Sequence, residues 1–174
     1  MFADPVKILR DFGIADSLIV ADLGAGSGFY TIPAGHMAHN GKVYAVDVQK
    51  DFLTTLKTKA KDSGLKNVET IWGDIEKKGG TKLADGVVDV VILSNVLFLI
   101  QNKKKVIEEA HRILKKGGRV LLVDFSHDTS LAFSRHKDIL KTDHAHKLFE
   151  DTNFKLDRHI PKGEHYYGMI FKKQ

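Results

Sequence analysis

The sequence predicts an α/β fold, a doubly wound parallel sheet finished by an antiparallel pair at one edge, and three observations predict it. Short β-rich runs alternate with helical patterns along the chain. The run from Val87 to Leu93 is apolar almost throughout, as befits a central parallel strand covered on both faces. The last two runs are joined by Pro161-Lys162-Gly163 alone, enough for a hairpin and too short for a right-handed crossover.

Leu18 to Leu23 reads as the first buried strand, followed by a glycine-rich turn and a helix from about Gly28 to His39, where Asn40-Gly41 is a stop signal. Lys42 to Asp47 is the second strand. Asp51 to Ser63 places Phe52, Leu53, Leu56 and Ala60 on one helical face, with Gly64 as C-terminal cap. Asn67 to Trp72 is the third strand and Val87 to Leu93 the fourth. Val106, Ile107, Ala110, Ile113 and Leu114 mark a helix ended by Gly117-Gly118, and Arg119 to Phe125 is the fifth strand. A helix near Asp143 to Asp151 packs on Ala145, Leu148 and Phe149. Phe154 to Ile160 and His165 to Phe171 close the sheet.

A chain of 174 residues is expected to form one domain, residues 1–174, and to bury a core without staples. With 43% hydrophobic and 28% charged residues it has the composition of a soluble globular protein. The absence of cysteine excludes disulfides, thiolate metal sites and cysteine nucleophiles. Residues 1–14 lack the apolar run of a signal peptide, and Val87 to Ile100 is interrupted by Asp89, Ser94 and Asn95, short of a membrane span. A cytoplasmic protein with no membrane contact is expected.

The net charge of +5 lies wholly in the second half, since residues 1–86 hold 11 basic and 11 acidic side chains and residues 87–174 hold 16 and 11. Lys103-Lys104-Lys105 and Lys115-Lys116 are the densest clusters. Such a surface attracts anionic partners; equally, lysines at helix ends serve as a solvated face.

The segment that carries chemistry is Asp22-Leu23-Gly24-Ala25-Gly26-Ser27-Gly28-Phe29, directly after the first strand. Its glycines let backbone approach a ligand closely at the first crevice of the sheet. The dinucleotide pattern G-x-G-x-x-G fails, because the third position is Phe29, and no Gly-Lys-Ser/Thr follows to make a P-loop. Asp22 beside the loop would repel a pyrophosphate and attract an ammonium. Asp47 ends the second strand, 23 residues after Gly24, where a carboxylate can accept hydrogen bonds from ribose hydroxyls. Asp74 follows the third strand, where it could accept from an exocyclic adenine amine while Ile75 packs on the ring. Taken singly, Asp47 can be a helix cap and Asp74 a turn residue. Together the three carboxylates describe a pocket for ammonium, ribose and adenine without phosphate.

On these residues the chain resembles the class I S-adenosylmethionine-dependent methyltransferases, of the compact type similar to quinone-biosynthesis enzymes. The matching pieces are Val20 to Phe29, Gly41 to Asp47, Gly73-Asp74, Val88 to Leu97 and Arg112 to Val120. The resemblance implies a Rossmann-like seven-stranded sheet ordered 3-2-1-4-5-7-6 with the last strand antiparallel. It implies S-adenosylmethionine as cofactor, its methionine end on Asp22, Gly24, Ala25, Gly26 and Gly28. Asp47 would bind the ribose, Asp74 and Ile75 would meet the adenine, Val48 would be a further cofactor-binding residue, and Ser94, Asn95 and Leu97 would border the cofactor after the fourth strand.

Methyl transfer from a sulfonium is an in-line displacement that needs alignment more than a general base, and the sequence presents no catalytic signature. Six of nine histidines follow the fifth strand. His144 and His146, two apart on a helix, point to different faces, against a metal site. His127 is the best candidate base, with a solvated loop histidine as the alternative; His165 and Tyr166 read as packing or edge residues. Ser94-Asn95-Val96-Leu97 departs from the Asn/Asp-Pro-Pro-Tyr sequence of enzymes that methylate base or amide nitrogens. About seventeen residues precede the first strand, so the lid over an acceptor is expected to be minimal, leaving it open or covered by a partner chain. The leading expectation is a small-molecule acceptor. A protein or RNA acceptor and a non-catalytic cofactor-binding subunit are the alternatives.

Overall fold

The computed structural model describes residues 4–125, 140–160 and 166–174. Seven strands, β1 (Ile19–Leu23), β2 (Lys42–Asp47), β3 (Val68–Trp72), β4 (Val88–Ser94), β5 (Leu114–Phe125), β6 (Phe154–Ile160) and β7 (Tyr166–Lys173), form one sheet in the order β3-β2-β1-β4-β5-β7-β6. β7 is antiparallel to both its neighbours, and the other pairings are parallel. The expected order and the antiparallel edge are both present.

Alternate residues of the central strands feed two cores. Val20, Val43, Val90 and Ile92 point to the face covered by α1 (Pro5–Phe12) and α2 (Thr31–Met37). Ala21, Val91 and Leu93 point to the face covered by α4 (Lys103–Ile113) and α5 (Thr142–Glu150). Burial on both faces is why these strands read as unbroken apolar runs. α3 (Lys50–Asp62) lays Leu56 against Ala25 and Ala45. Among the described residues no helix is long and apolar enough to cross a membrane.

Three elements differ from the sequence expectation. Residues Pro5–Phe12 form a helix where none is expected: Asp4 accepts the Val6 N–H at 2.9 Å, Pro5 opens the first turn and Gly13 caps the end at φ +85°. Its Phe12 is fully buried, and the Arg119 guanidinium lies 4.5 Å from the Phe12 ring centroid. α2 starts at Thr31 rather than Gly28, because the backbone of Gly28, at φ +92°, is still in the turn. α4 ends at Ile113, and Leu114 already pairs with Val88 in the sheet. Residues 115–118 bulge out before Arg119 pairs with Val90, so Gly117-Gly118 marks an interruption of a strand and does not end a helix. The hairpin joint at 161–163 lies outside the described residues.

Candidate functional site

β1 lies between β2 and β4, and the strand order reverses there, which opens a crevice beyond the carboxyl ends of β1 and β4. The glycine loop forms one wall. Gly24 and Ala25 donate to the Val46 carbonyl at 2.8 and 3.1 Å, and Gly28 donates to Ala25 O at 3.0 Å, which folds the loop back toward β2. The other wall is the end of β4, where Asn95 turns the chain at φ +50° and donates its N–H to Val123 O at 2.8 Å. Val96 seals the seam: a Cβ on Gly24 would stand 2.4 Å from Val96 Cγ2, so only glycine lets the two walls meet.

The resulting cleft of about 440 Å³ is lined by six of the residues singled out in the sequence, Asp22, Gly24, Ala25, Gly26, Ser94 and Asn95, together with Ser27, Phe29 and Tyr30. Among the described residues no cationic side chain lines it; Lys59 touches the loop by donating to the Ser27 carbonyl at 3.1 Å. Asp22 is buried at 2% exposure and accepts a 2.6 Å hydrogen bond from Thr31 Oγ1 at the start of α2. Burial pushes its carboxyl up to about 7, with the Thr31 bond opposing the rise and the Asp47 carboxylate adding to it. Burial also raises the Tyr30 phenol to about 12, against a hydrogen bond with Ser94. Asn95 Oδ1 is buried without a hydrogen-bond partner among the described residues, an acceptor open to a further donor.

The other expected residues surround this cleft without lining it. Asp47, 8% exposed, accepts from Gly26 N at 2.9 Å and from Gln49 N at 2.8 Å. Val48 is 61% exposed at the rim, its carbonyl bonded by the Trp72 indole N–H at 3.0 Å. Asp74 caps its own turn through Glu76 N at 3.0 Å and pairs with Lys77 at 3.2 Å, while Ile75 packs into the α4 core. Gly28 is buried under the loop. Leu97 is fully buried in the same core as Ile75, within a single 3-10 turn, Leu97–Leu99. Its burial follows from the turn that Asn95 begins, which carries Val96 and Leu97 inward.

Tyr30 and Thr31 were missed because a tyrosine and a threonine at a helix start look like ordinary core and cap residues. Pairing of Thr31 with Asp22 depends on how α2 leaves the loop. His144 and His146 sit on α5; the former is exposed, and His146 Nε2 lies 3.4 Å from Glu150 Oε1. Among the described residues no group of three or more metal-binding side chains is gathered. His127, His136 and His165 lie outside the described residues.

Comparison with known proteins agrees with this architecture. A family model described as a methyltransferase domain matches residues 14–173. An arsenite methyltransferase of Aquipseudomonas alcaligenes is 34% identical over 131 residues, covering 72% of this chain and 38% of that protein. A demethylmenaquinone methyltransferase of Lactococcus lactis is 31% identical over 124 residues, covering 71% of this chain and 48% of that protein. The chain thus spans less than half the length of these curated relatives. A solved SAM dependent methyltransferase from Aquifex aeolicus superposes with a TM-score of 0.88 at 26% identity, covering 97% of this chain and 89% of that one.

Proposed function

The chain belongs to the S-adenosylmethionine-dependent methyltransferase domain family, and on that premise we propose that residues 1–174 act as one domain that methylates a small molecule. The observation that carries the reading is the cleft itself, a glycine-walled space at the sheet's switch point with one buried carboxylate in its wall, a second one hydrogen bond behind it and no cation lining it among the described residues. The residues present fit the cofactor. The cleft falls in the roughly 300–1,000 Å³ range of small-ligand pockets, and Asn95 Oδ1 offers an unused acceptor.

When bound, S-adenosylmethionine would supply a sulfonium-activated methyl group for in-line displacement by a nucleophilic acceptor atom, the electron pair of the broken C–S bond staying on sulfur. The chain's own residues supply position. Asp22, when ionised, would face the ammonium of the methionine end, and Gly24, Ala25 and Gly26 would present backbone to it. Asp47 keeps a free lone pair on each oxygen for the ribose hydroxyls. Val48 at the rim and the edge of Ile75 that the core leaves uncovered would flank the adenine, whose amine would reach Asp74. Ser94 and Asn95, with Tyr30 behind Ser94, would border the reacting end. Holding donor and acceptor in line contributes up to about 7–11 kcal/mol in favourable cases.

Small-molecule methylation is the acceptor class named by relatives such as the arsenite and demethylmenaquinone enzymes. The test is methyl transfer from labelled cofactor in a cell extract fractionated by size. Label in the low-molecular-weight fraction is expected. Label confined to protein or to nuclease-sensitive material would replace the small molecule with a macromolecular acceptor, and binding without turnover would leave a cofactor-binding subunit.

A further inference from the structure

We propose that the chain carries a second ligand site, for a small phosphorylated polyanion, in a basic cavity on the α4 face of the sheet, away from the glycine-loop cleft. The cavity measures about 1030 Å³ and lies between α4, the segment joining β3 to β4, the bulge that opens β5 and the end of β7. Seven Lys and Arg side chains line it against four carboxylates.

The carboxylates are largely engaged. Glu109 and Asp85 both hold Arg112, at 2.7 and 2.6 Å. Glu76 accepts the Asn102 N–H at 3.0 Å. Glu108 stands 4.0 Å from Lys104, which does not line the cavity. On the cationic side, Lys78, Lys105 and Lys116 are exposed, and their side chains make no ion pair or hydrogen bond among the described residues. They come from three separate segments and face one volume.

The floor is built rather than incidental. Lys173 reaches in from the last strand and donates to the carbonyls of His111 and Leu114, both at 2.7 Å, which leaves one of its three N–H bonds uncommitted. The lysine clusters that stood out in the sequence divide here. Lys103 bonds the Ile100 carbonyl at 2.8 Å, Lys104 approaches Glu108 and Lys115 pairs with Asp89 at 2.8 Å, whereas Lys105 and Lys116 line the cavity without such partners among the described residues.

Shape selects the ligand class. A nucleic-acid backbone is tracked by a stripe of cations along a surface, but these ammonium groups converge on a concavity of small-ligand size. Several unpaired lysines around one space match a compact group carrying several charged oxygens, each able to take a charge-assisted hydrogen bond.

The test is calorimetric titration of the full chain with inorganic pyrophosphate. One saturable site per chain is expected, weakened about tenfold or more by K105A/K116A, since two charge-assisted hydrogen bonds are lost. K147A/K155A removes the same charge from α5 and β6 and is expected to leave the affinity within about twofold. Melting curves and S-adenosylhomocysteine binding of K105A/K116A serve as the folding control; the anion titration does not depend on the cofactor reading, so the two fail separately. Absence of saturable heat, equal weakening by both double variants, or several pyrophosphates bound per chain would each overturn the site. Binding of a single-stranded oligonucleotide with none of pyrophosphate would overturn it in favour of a nucleic-acid surface.

Discussion

Gly26 donates its amide N–H to Asp47 Oδ2 at 2.9 Å, so the acid that ends β2 holds in place the glycine loop that follows β1. The other oxygen of Asp47 accepts from Gln49 N at 2.8 Å and shapes the entry to α3. One carboxylate thus organises both turns that flank the cleft.

Replacing Asp47 with alanine therefore removes more than the proposed ribose contact. Asp47→Ala is expected to weaken S-adenosylhomocysteine binding by about 1–3 kcal/mol and to lower the melting temperature as well. Asp47→Asn keeps one acceptor oxygen and is expected to fall between. Calorimetry that found the alanine variant binding as tightly as the parent would remove the ribose assignment.

Gly24 and Gly26 are expected to fail in different ways. A methyl at Gly24 would meet Val96 Cγ2 at 2.4 Å on a backbone at φ +77°, whereas one at Gly26, at φ +52°, meets nothing within 4 Å. Gly24→Ala is expected to destabilise the fold by about 2–4 kcal/mol through overpacking and left-handed strain. Gly26→Ala carries only the strain, about 1–2 kcal/mol, and its methyl enters the open space of the cleft, so its loss is expected chiefly in cofactor affinity. Paired melting and calorimetric measurements separate the two; a Gly24→Ala protein as stable as the parent would contradict the packing against Val96.

Asp22 makes two opposite pH trends. Its carboxyl is raised in the folded state to about 7 from an ordinary value of 3.8, chiefly by burial. Between these values the folded chain holds a proton that the unfolded chain has released, so its contribution to stability declines as pH rises from about 4 to about 7 and is flat above. Asp124, also raised to about 7 by burial, acts in the same direction. Asp22→Asn, which still accepts from Thr31, is expected to stabilise the unliganded chain at pH 8 by about 1–3 kcal/mol and to make the slope shallower. Cofactor affinity is expected to rise with pH through 7, as the carboxylate forms, and to lose that dependence in the variant. A variant with the parent's pH profile for binding would show that Asp22 does not face the ammonium.

Glu109 behaves in the reverse sense. Burial alone would raise its carboxyl, but hydrogen bonds from Arg112, Thr81 and the Gly79 N–H outweigh it and hold the group down to about 2. That stability is present above the ordinary value of 4.5 and is lost as pH falls toward 2. Glu109→Ala leaves Arg112 and the Thr81 hydroxyl without their shared partner and is expected to cost about 3–5 kcal/mol at neutral pH. The checks are denaturant melts at pH 7 and pH 3, with the difference between parent and variant narrowing at the lower pH.

Much of this was legible in the chain because it is local. An apolar run such as Val88–Leu93 can be satisfied only by burial on both faces, and a glycine loop after a buried strand opens at a sheet crevice wherever the rest of the chain goes. The α1 helix carried its own signals, Asp4, Pro5 and Gly13, but at eight residues its apolar period was too short to stand out, and its stability comes from burying Leu9 and Phe12. Gly117-Gly118 shows the converse: a pair of glycines ends a helix or opens a bulge with equal ease, and only the pairing of Leu114 with Val88 decides between them.

The sequence by itself determined the strand order's raw material, the glycine loop and the acids that follow β1, β2 and β3. Only the tertiary structure decided that Thr31 bonds the buried Asp22, that Asp47 braces Gly26, that Leu97 turns into the core and that lysines from three segments share one cavity. The physical reason is range. Backbone conformation and burial pattern are set within a few residues, whereas the partner of a side chain depends on strand register and crossover, which bring together groups far apart in the chain.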